Sequence, residues 1–204
     1  MDEVIALEAT QDRWRSTMRA LAHRPMTANE FLYAYDGVEG RWELVEGEPV
    51  MMAGGTFQHA AIATNLIAAI VPKLRGTGCR AFGSDALVDV NLYNQRLPDV
   101  SIYCDPRDTG TNQNQKRSGQ FPKVIFEVLS RSTQGVDRGR KLAQYKALPS
   151  VAAIVLIDPE TETIDLAERI GTNDWRERVL AKGAELELPA IGLVLSAQDI
   201  FRDD

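Results

Sequence analysis

The chain is poor in the residues that build disulfide or zinc scaffolds: its 204 residues include 2 cysteines and 2 histidines. Cys79 and Cys104 make neither a disulfide framework nor a zinc signature, so a reducing, cytoplasmic setting is the expectation. No apolar run approaches the roughly 18–20 residues of a membrane helix. The opening Met1-Asp2-Glu3-Val4 lacks the basic segment that begins a secretory signal peptide. No repeat, low-complexity tract or linker divides the chain. Positive charge is also scarce: 23 Lys and Arg face 29 Asp and Glu, a net −6, which argues against a general nucleic-acid binder. The 44% hydrophobic content suits one globular domain able to bury a core.

The scarce positive charge is concentrated. Between positions 116 and 146 lie Lys116, Arg117, Lys123, Arg131, Arg138, Arg140, Lys141 and Lys146, opposed only by Glu127 and Asp137. Such a stretch is either a solvated surface of mixed charge or a local patch that holds phosphates. In the second case Arg131, Arg138 and Arg140 are the nucleic-acid-binding candidates.

Periodicity organises the rest. Trp14, Met18 and Leu21 predict an amphipathic helix over residues 2–24. Thr27-Ala28-Asn29-Glu30 has the form of a capping box and opens a second helix, which Gly37 stops. Two short strands, Trp42–Val45 and Pro49–Met52, flank a Glu46-Gly47 turn. A helix from Phe57 to Arg75 carries the stripe Ile62, Leu66, Ile70, Leu74 and ends at Gly76. Extended segments follow at Cys79–Phe82, Asp85–Leu92, Leu97–Cys104 and Lys123–Ser130. Asp105–Gln120 reads as a long exposed loop. Beyond it come a helix over Thr133–Leu148, strands at Val151–Ile157 and Thr163–Glu168, a terminal strand near Arg176–Leu180 and a helix from Ser196 to Phe201. The order predicts one mixed α/β (α+β) domain over residues 26–204, with residues 1–25 as a helical extension.

Two strands carry a carboxylate each, and burying an acid is costly without a positive partner. In 124–129, Val124, Phe126 and Val128 share one face, while Ile125, Glu127 and Leu129 share the other. Asp99 opens its strand and Glu127 lies near the end of the next. If the two strands pair antiparallel, the acids meet. Convergent carboxylates suit Mg²⁺ or Mn²⁺; otherwise Asp99 caps the turn after Pro98 and Glu127 pairs with an arginine. On the following helix Asp137, Lys141 and Tyr145 share a face. Lys141 either offsets charge developing on a phosphate or pairs with Asp137. Tyr145 either touches substrate or is a core residue with its hydroxyl at the rim.

Taken together, Arg41-Trp42-Glu43-Leu44-Val45-Glu46-Gly47-Glu48, Gln58-His59, Pro98-Asp99-Val100, the run 126–133, Asp137-Arg138-Gly139-Arg140-Lys141 with Tyr145, and Ile154-Val155-Leu156-Ile157-Asp158 resemble the Uma-type family of restriction endonucleases, within the PD-(D/E)XK nuclease superfamily. The resemblance covers about Met26 to Phe201. It implies a restriction-endonuclease-like core, a mixed sheet flanked by helices. It also implies a Mg²⁺- or Mn²⁺-dependent nuclease, acting on DNA, with Asp99, Glu127 and the Val128 carbonyl as metal ligands. Leu129 stands where the superfamily pattern has lysine, and Lys141 is the replacement. Glu43 is a further candidate acid. His59, in the first turn of its helix and on the inward stripe, is either a core histidine or part of the site. Cutting both strands of a duplex calls for two centres, and hence a homodimer, with the Trp14–Met18–Leu21 stripe as a candidate interface. The alternatives are a binding module that kept the fold without catalysis, and a hydrolase of a small phosphorylated substrate.

Overall fold

The Thr27 hydroxyl accepts the Glu30 N–H while the Glu30 carboxylate accepts the Thr27 N–H, which completes the predicted capping box and starts α1 (Ala28–Ala34). The computed structural model describes residues 24–110, 116–130, 135 and 137–202. The predicted N-terminal helix and its apolar stripe fall in residues 1–23, outside the described residues. In the hairpin of β1 (Trp42–Val45) and β2 (Glu48–Met51), Val45 pairs with Glu48. Glu46 and Gly47 turn it with φ of 53° and 81°, the left-handed pair that a two-residue turn between twisted strands demands. The helix α2 (Phe57–Lys73) is capped by Thr56 and buries Ile62, Leu66 and Ile70, the predicted stripe.

Next come β3 (Arg80–Gly83), β4 (Leu87–Asn91), β5 (Asn94–Arg96), β6 (Val100–Tyr103), the short helix α3 (Pro106–Thr109), β7 (Ser118–Gly119) and β8 (Pro122–Val128). A π-helical turn (Asp137–Lys141) leads into α4 (Leu142–Lys146), both within the helix expected over Thr133–Leu148, whose first residues lie largely outside the described ones. The remainder is β9 (Ala153–Asp158), β10 (Thr163–Arg169), β11 (Trp175–Leu180), β12 (Leu186–Leu188), β13 (Leu193–Leu195) and α5 (Ala197–Phe201).

Two sheets carry the architecture. A five-stranded sheet runs β2-β1-β5-β4-β7, and a six-stranded sheet runs β11-β10-β9-β8-β6-β3. In the larger sheet only β8 and β9 pair in parallel, so the chain between them must cross over. The turn 137–141 and α4 make that crossover, which sets Lys141 and Tyr145 over the β8–β9 pair. Alternation divides the core as the sequence predicts. Val124, Phe126 and Val128 join Val155 and Ile157 in one cluster with the α2 stripe. Ile125 and Leu129 join Ile154 and Leu156 in a second cluster with Tyr145. Buried on both faces, β8 and β9 are near-continuous apolar runs, as central parallel strands are.

Three expectations need correction, and one strand lies where none was expected. Arg176–Leu180 is not the last strand: β12 and β13 pair beyond it, each too short to show a period. β5, a polar Asn-Gln-Arg segment, is nonetheless a buried strand, since its side chains find polar partners instead of water. The loop 105–120 is not wholly exposed: Asp108 is buried and accepts the Phe121 N–H at 2.7 Å. Cys79 and Cys104 form a disulfide, because Arg80 pairs with Tyr103 and the cysteines stand next in that register. Among the described residues no helix is long and apolar enough to cross a membrane.

Candidate functional site

The antiparallel register that sets Val100 opposite Phe126 carries one step further to Asp99 beside Glu127. The two predicted acids meet at the end of the larger sheet, both largely buried. Asp99 Oδ2 accepts the Val128 N–H at 2.7 Å. A strand residue projects its N–H and C=O to the same side, so the Val128 carbonyl also faces the Asp99 side. From α2, His59 Nε2 lies 3.1 Å from the same Asp99 oxygen. That hydrogen bond raises the pKa of His59 above its ordinary value, against the opposing effects of burial and of Arg41. Thr56 caps the helix through the His59 N–H, which fixes where the ring enters.

Glu127 is met from the crossover. Lys141 Nζ lies 3.2 and 3.3 Å from its two oxygens, and the Tyr145 hydroxyl donates to Oε1 at 2.7 Å. The predicted i, i+4 spacing of Lys141 and Tyr145 therefore puts both on one carboxylate. Burial, with the nearby Glu127 and Glu43 charges, holds the Tyr145 phenol well above its ordinary pKa, so it remains a donor. Glu43 completes the cluster: its Oε1 lies 3.8 Å from Lys141 Nζ and accepts the Leu97 N–H at 2.9 Å.

Charge balance accounts for the burial. Glu43, Asp99, Glu127 and Lys141 are 2%, 8%, 3% and 5% exposed, and buried charges persist only when paired and hydrogen-bonded. The partner of Glu43 is a residue the sequence reading missed. Arg96 Nη1 donates to Glu43 Oε2 at 2.8 Å, and Arg96 Nε donates to Gln144 Oε1 at 2.8 Å. Gln144 in turn donates to Asn94. The available signal was an arginine three residues before the Asp99 carboxylate, in a polar strand with no apolar face to orient it. Arg96, Lys141 and the His59 imidazole thus each face a carboxylate, on Glu43, Glu127 and Asp99 respectively.

The basic candidates lie elsewhere. Arg138 Nη2 lies 3.1 Å from Asp165 Oδ2, and Arg140 Nη1 lies 3.7 Å from Glu46 Oε1. Both guanidinium groups remain partly exposed. Arg131 and the Asp137 side chain lie outside the described residues. Among the described residues no three His, Cys, Asp or Glu side chains converge to hold a metal ion. The oxygen donors brought together are two carboxylates and a backbone carbonyl.

Comparison with known proteins bears on the fold and the family. The chain is 31% identical over 192 residues to the uncharacterized protein slr1290 of Synechocystis sp., covering 89% of this chain and 97% of that one. A second Synechocystis protein, the uncharacterized sll1609, is 25% identical over 165 residues, covering 79% and 92%. Among solved structures, one described as a putative nuclease belonging to DUF820, from Anabaena variabilis, matches with a TM-score of 0.66. It shares 22% identity and covers 87% of this chain and 98% of its own. At that identity the likeness speaks for the fold. With residues 28–198 matching the Uma2 family model, described as "Putative restriction endonuclease", the chain belongs to the Uma2 family.

Proposed function

We propose that this protein is a divalent-metal-dependent nuclease that hydrolyses phosphodiester bonds in DNA. The observation that carries the reading is the opposition of Asp99 and Glu127 across β6 and β8, with Lys141 on Glu127. The donor set fits a hard cation: two carboxylates and the carbonyl side of Val128, with the remaining positions left to water. Asp99, Glu127 and Val128 would hold Mg²⁺ or Mn²⁺. Such an ion, when bound, polarises a phosphate and lowers the pKa of a bound water.

The protein's own groups supply the rest. Lys141 carries a compact positive charge beside Glu127 and would stabilise charge growing on the phosphoryl oxygens. Tyr145 fixes the Glu127 carboxylate, and the Val128 N–H fixes that of Asp99. Arg96 and the Leu97 N–H lock Glu43, which keeps Lys141 from drifting toward solvent. Arg138 and Arg140, partly exposed on the adjoining turn, contribute to phosphate attraction at longer range. A homodimer with one centre per strand is the assembly that cutting both strands of a duplex would call for, and light scattering at micromolar concentration tests it.

The functional experiment pairs cleavage with metal binding. Supercoiled plasmid and single-stranded oligonucleotide are incubated with Mg²⁺ or Mn²⁺, and Mn²⁺ affinity is read by calorimetry. Asp99→Ala and Glu127→Ala should each abolish both, with the fold retained. Unchanged Mn²⁺ affinity in both variants would rule out the metal site. Mn²⁺ binding without cleavage by the unaltered protein would instead identify a binding module that kept the fold.

A further inference from the structure

The end of the larger sheet opposite the Asp99–Glu127 centre holds a concavity of about 550 Å³, lined by Phe121, Lys123, Ser150, Arg107 and two prolines among others. Strand register explains the grouping. Tyr103 at the end of β6 pairs with Pro122 at the start of β8, so Cys104 and Asp105, the cap of α3, follow beside Phe121. Ala152, leading into β9, donates its N–H to the Lys123 carbonyl at 2.9 Å, which brings Ser150 alongside. Glu127 lies four residues further along β8, roughly 13 Å at the rise of a strand. The two places are separate.

The charges of its lining do not balance. Asp105 is taken up by Arg107: Oδ1 accepts from Nε at 2.9 Å and Oδ2 from Nη2 at 2.7 Å. Those bonds lower the Asp105 pKa to about 2, so the carboxylate stays ionised and matched. Lys123 is half-buried and has no ion pair or side-chain hydrogen bond among the described residues. A lysine held partly out of water ordinarily finds an opposite charge. The Ser150 hydroxyl is also buried with no hydrogen-bond partner among the described residues, which costs free energy unless an acceptor arrives.

The shape adds a flat surface to the unmatched charge. The Arg107 guanidinium lies over the Phe121 ring, 3.5 Å from its centroid. Its side chain remains 65% exposed, so the outer face of that plane is open, and guanidinium planes stack on aromatic rings. Pro106 and Pro149, both exposed, contribute rigid apolar edges. Two cations against one carboxylate leave a single positive charge to be met. A flat ring carrying an anionic head meets both requirements.

We propose that this concavity binds a small aromatic oxyanion, its ring against the Arg107–Phe121 stack and its phosphate or carboxylate head on Lys123. Arg107 Nη1, which the Asp105 pair leaves unused, and the Ser150 hydroxyl are the further donors. The site lies outside the nuclease reading and does not depend on it. The competing account of Lys123 is a stem packed on apolar surface with its ammonium in water.

The test is a titration of the isotope-labelled full chain, free of metal, with phenyl phosphate, benzoate, inorganic phosphate and benzyl alcohol. The amide signals of Phe121 and Lys123 are followed by NMR. Saturable shifts are expected with phenyl phosphate or benzoate, the tighter of the two naming the head group. Inorganic phosphate should bind more weakly and benzyl alcohol not at all. Lys123→Met keeps the stem and removes the charge, and should weaken binding at least about tenfold, the worth of one charge-assisted hydrogen bond. Lys123→Arg should retain most of it. Asp105→Asn keeps a capping oxygen for α3 and removes the carboxylate of the lining, so it should tighten binding; it is the second variant should Lys123→Met fold poorly. Asp99→Ala should leave the affinity unchanged. The proposal is overturned by the absence of saturable shifts at millimolar ligand, or by an affinity that inorganic phosphate matches. An affinity unmoved by Lys123→Met or Asp105→Asn, or lost in Asp99→Ala, overturns it as well.

Discussion

Lys141 holds both carboxylate oxygens of Glu127, at 3.2 and 3.3 Å, from a helical turn 14 residues further along the chain. Leu129, two residues after Glu127 on the same face, is packed in the apolar cluster with Ile154 and Tyr145. The strand position that carries lysine in the superfamily pattern is thus filled by core, and the charge arrives from the crossover instead.

Lys141→Met should lower turnover by roughly 10²–10³-fold, the usual loss of one preorganised charge at a reacting phosphate. It should also tighten Mn²⁺ binding, because the ammonium no longer competes for Glu127. Adding Leu129→Lys returns an ammonium to the same face and should recover part of the turnover. Steady-state kinetics and calorimetry on the three proteins check this. Full activity in Lys141→Met alone would refute the role.

Tyr145→Phe keeps the buried ring and removes one donor from a buried carboxylate. A hydrogen bond to a charged group contributes roughly 1.5–3 kcal/mol, so the urea midpoint should fall by the equivalent of about 2 kcal/mol, without a change in m. A loss within about 0.5 kcal/mol, as for an ordinary surface substitution, would mean that Glu127 is satisfied without the Tyr145 hydroxyl.

His59 has a pKa raised above 6.5 by its hydrogen bond to Asp99. A raised folded value means that the stabilisation is fully present below 6.5 and is lost as pH rises through the folded value. Melting temperature should therefore decline across that interval in the native protein and decline less in His59→Gln. Gly55 provides a second handle, since a Cβ there would meet His59 Nδ1 at 2.7 Å. Gly55→Ala should displace the ring and bring its pKa, followed by NMR, back toward 6.5. An unmoved titration would show that the ring can tolerate the contact.

The disulfide ties β3 to β6 across a sequence separation of 25. Loop-closure entropy of that size corresponds to about 3.5 kcal/mol. Dithiothreitol, or Cys79→Ser with Cys104→Ser, should lower the urea midpoint accordingly and leave Mn²⁺ affinity unchanged, because the bond lies at the end of β6 remote from Asp99. Loss of metal binding on reduction would show that the β3 edge positions the centre.

Much of this architecture is local and was legible in the chain. The capping box at Thr27 and Glu30, the α2 stripe and the two-residue turn at Glu46-Gly47 each depend on groups a few residues apart. The alternation in β8 separated Phe126 from Glu127 for the same reason, and the meeting of Asp99 with Glu127 needed only the sense of one strand pair. The partners of the buried charges were decided by tertiary structure. Glu43 finds Arg96 across a separation of 53 residues, and Tyr145 finds Glu127 across 18. Lys141 turned to Glu127 through the path of the crossover, although Asp137 stood one helical turn away in sequence. Cys79 and Cys104 were joined by the register of β3 on β6. Spacing along a chain determines which face a side chain takes, whereas its partner depends on strand order, register and crossover path, which are set when the sheets assemble.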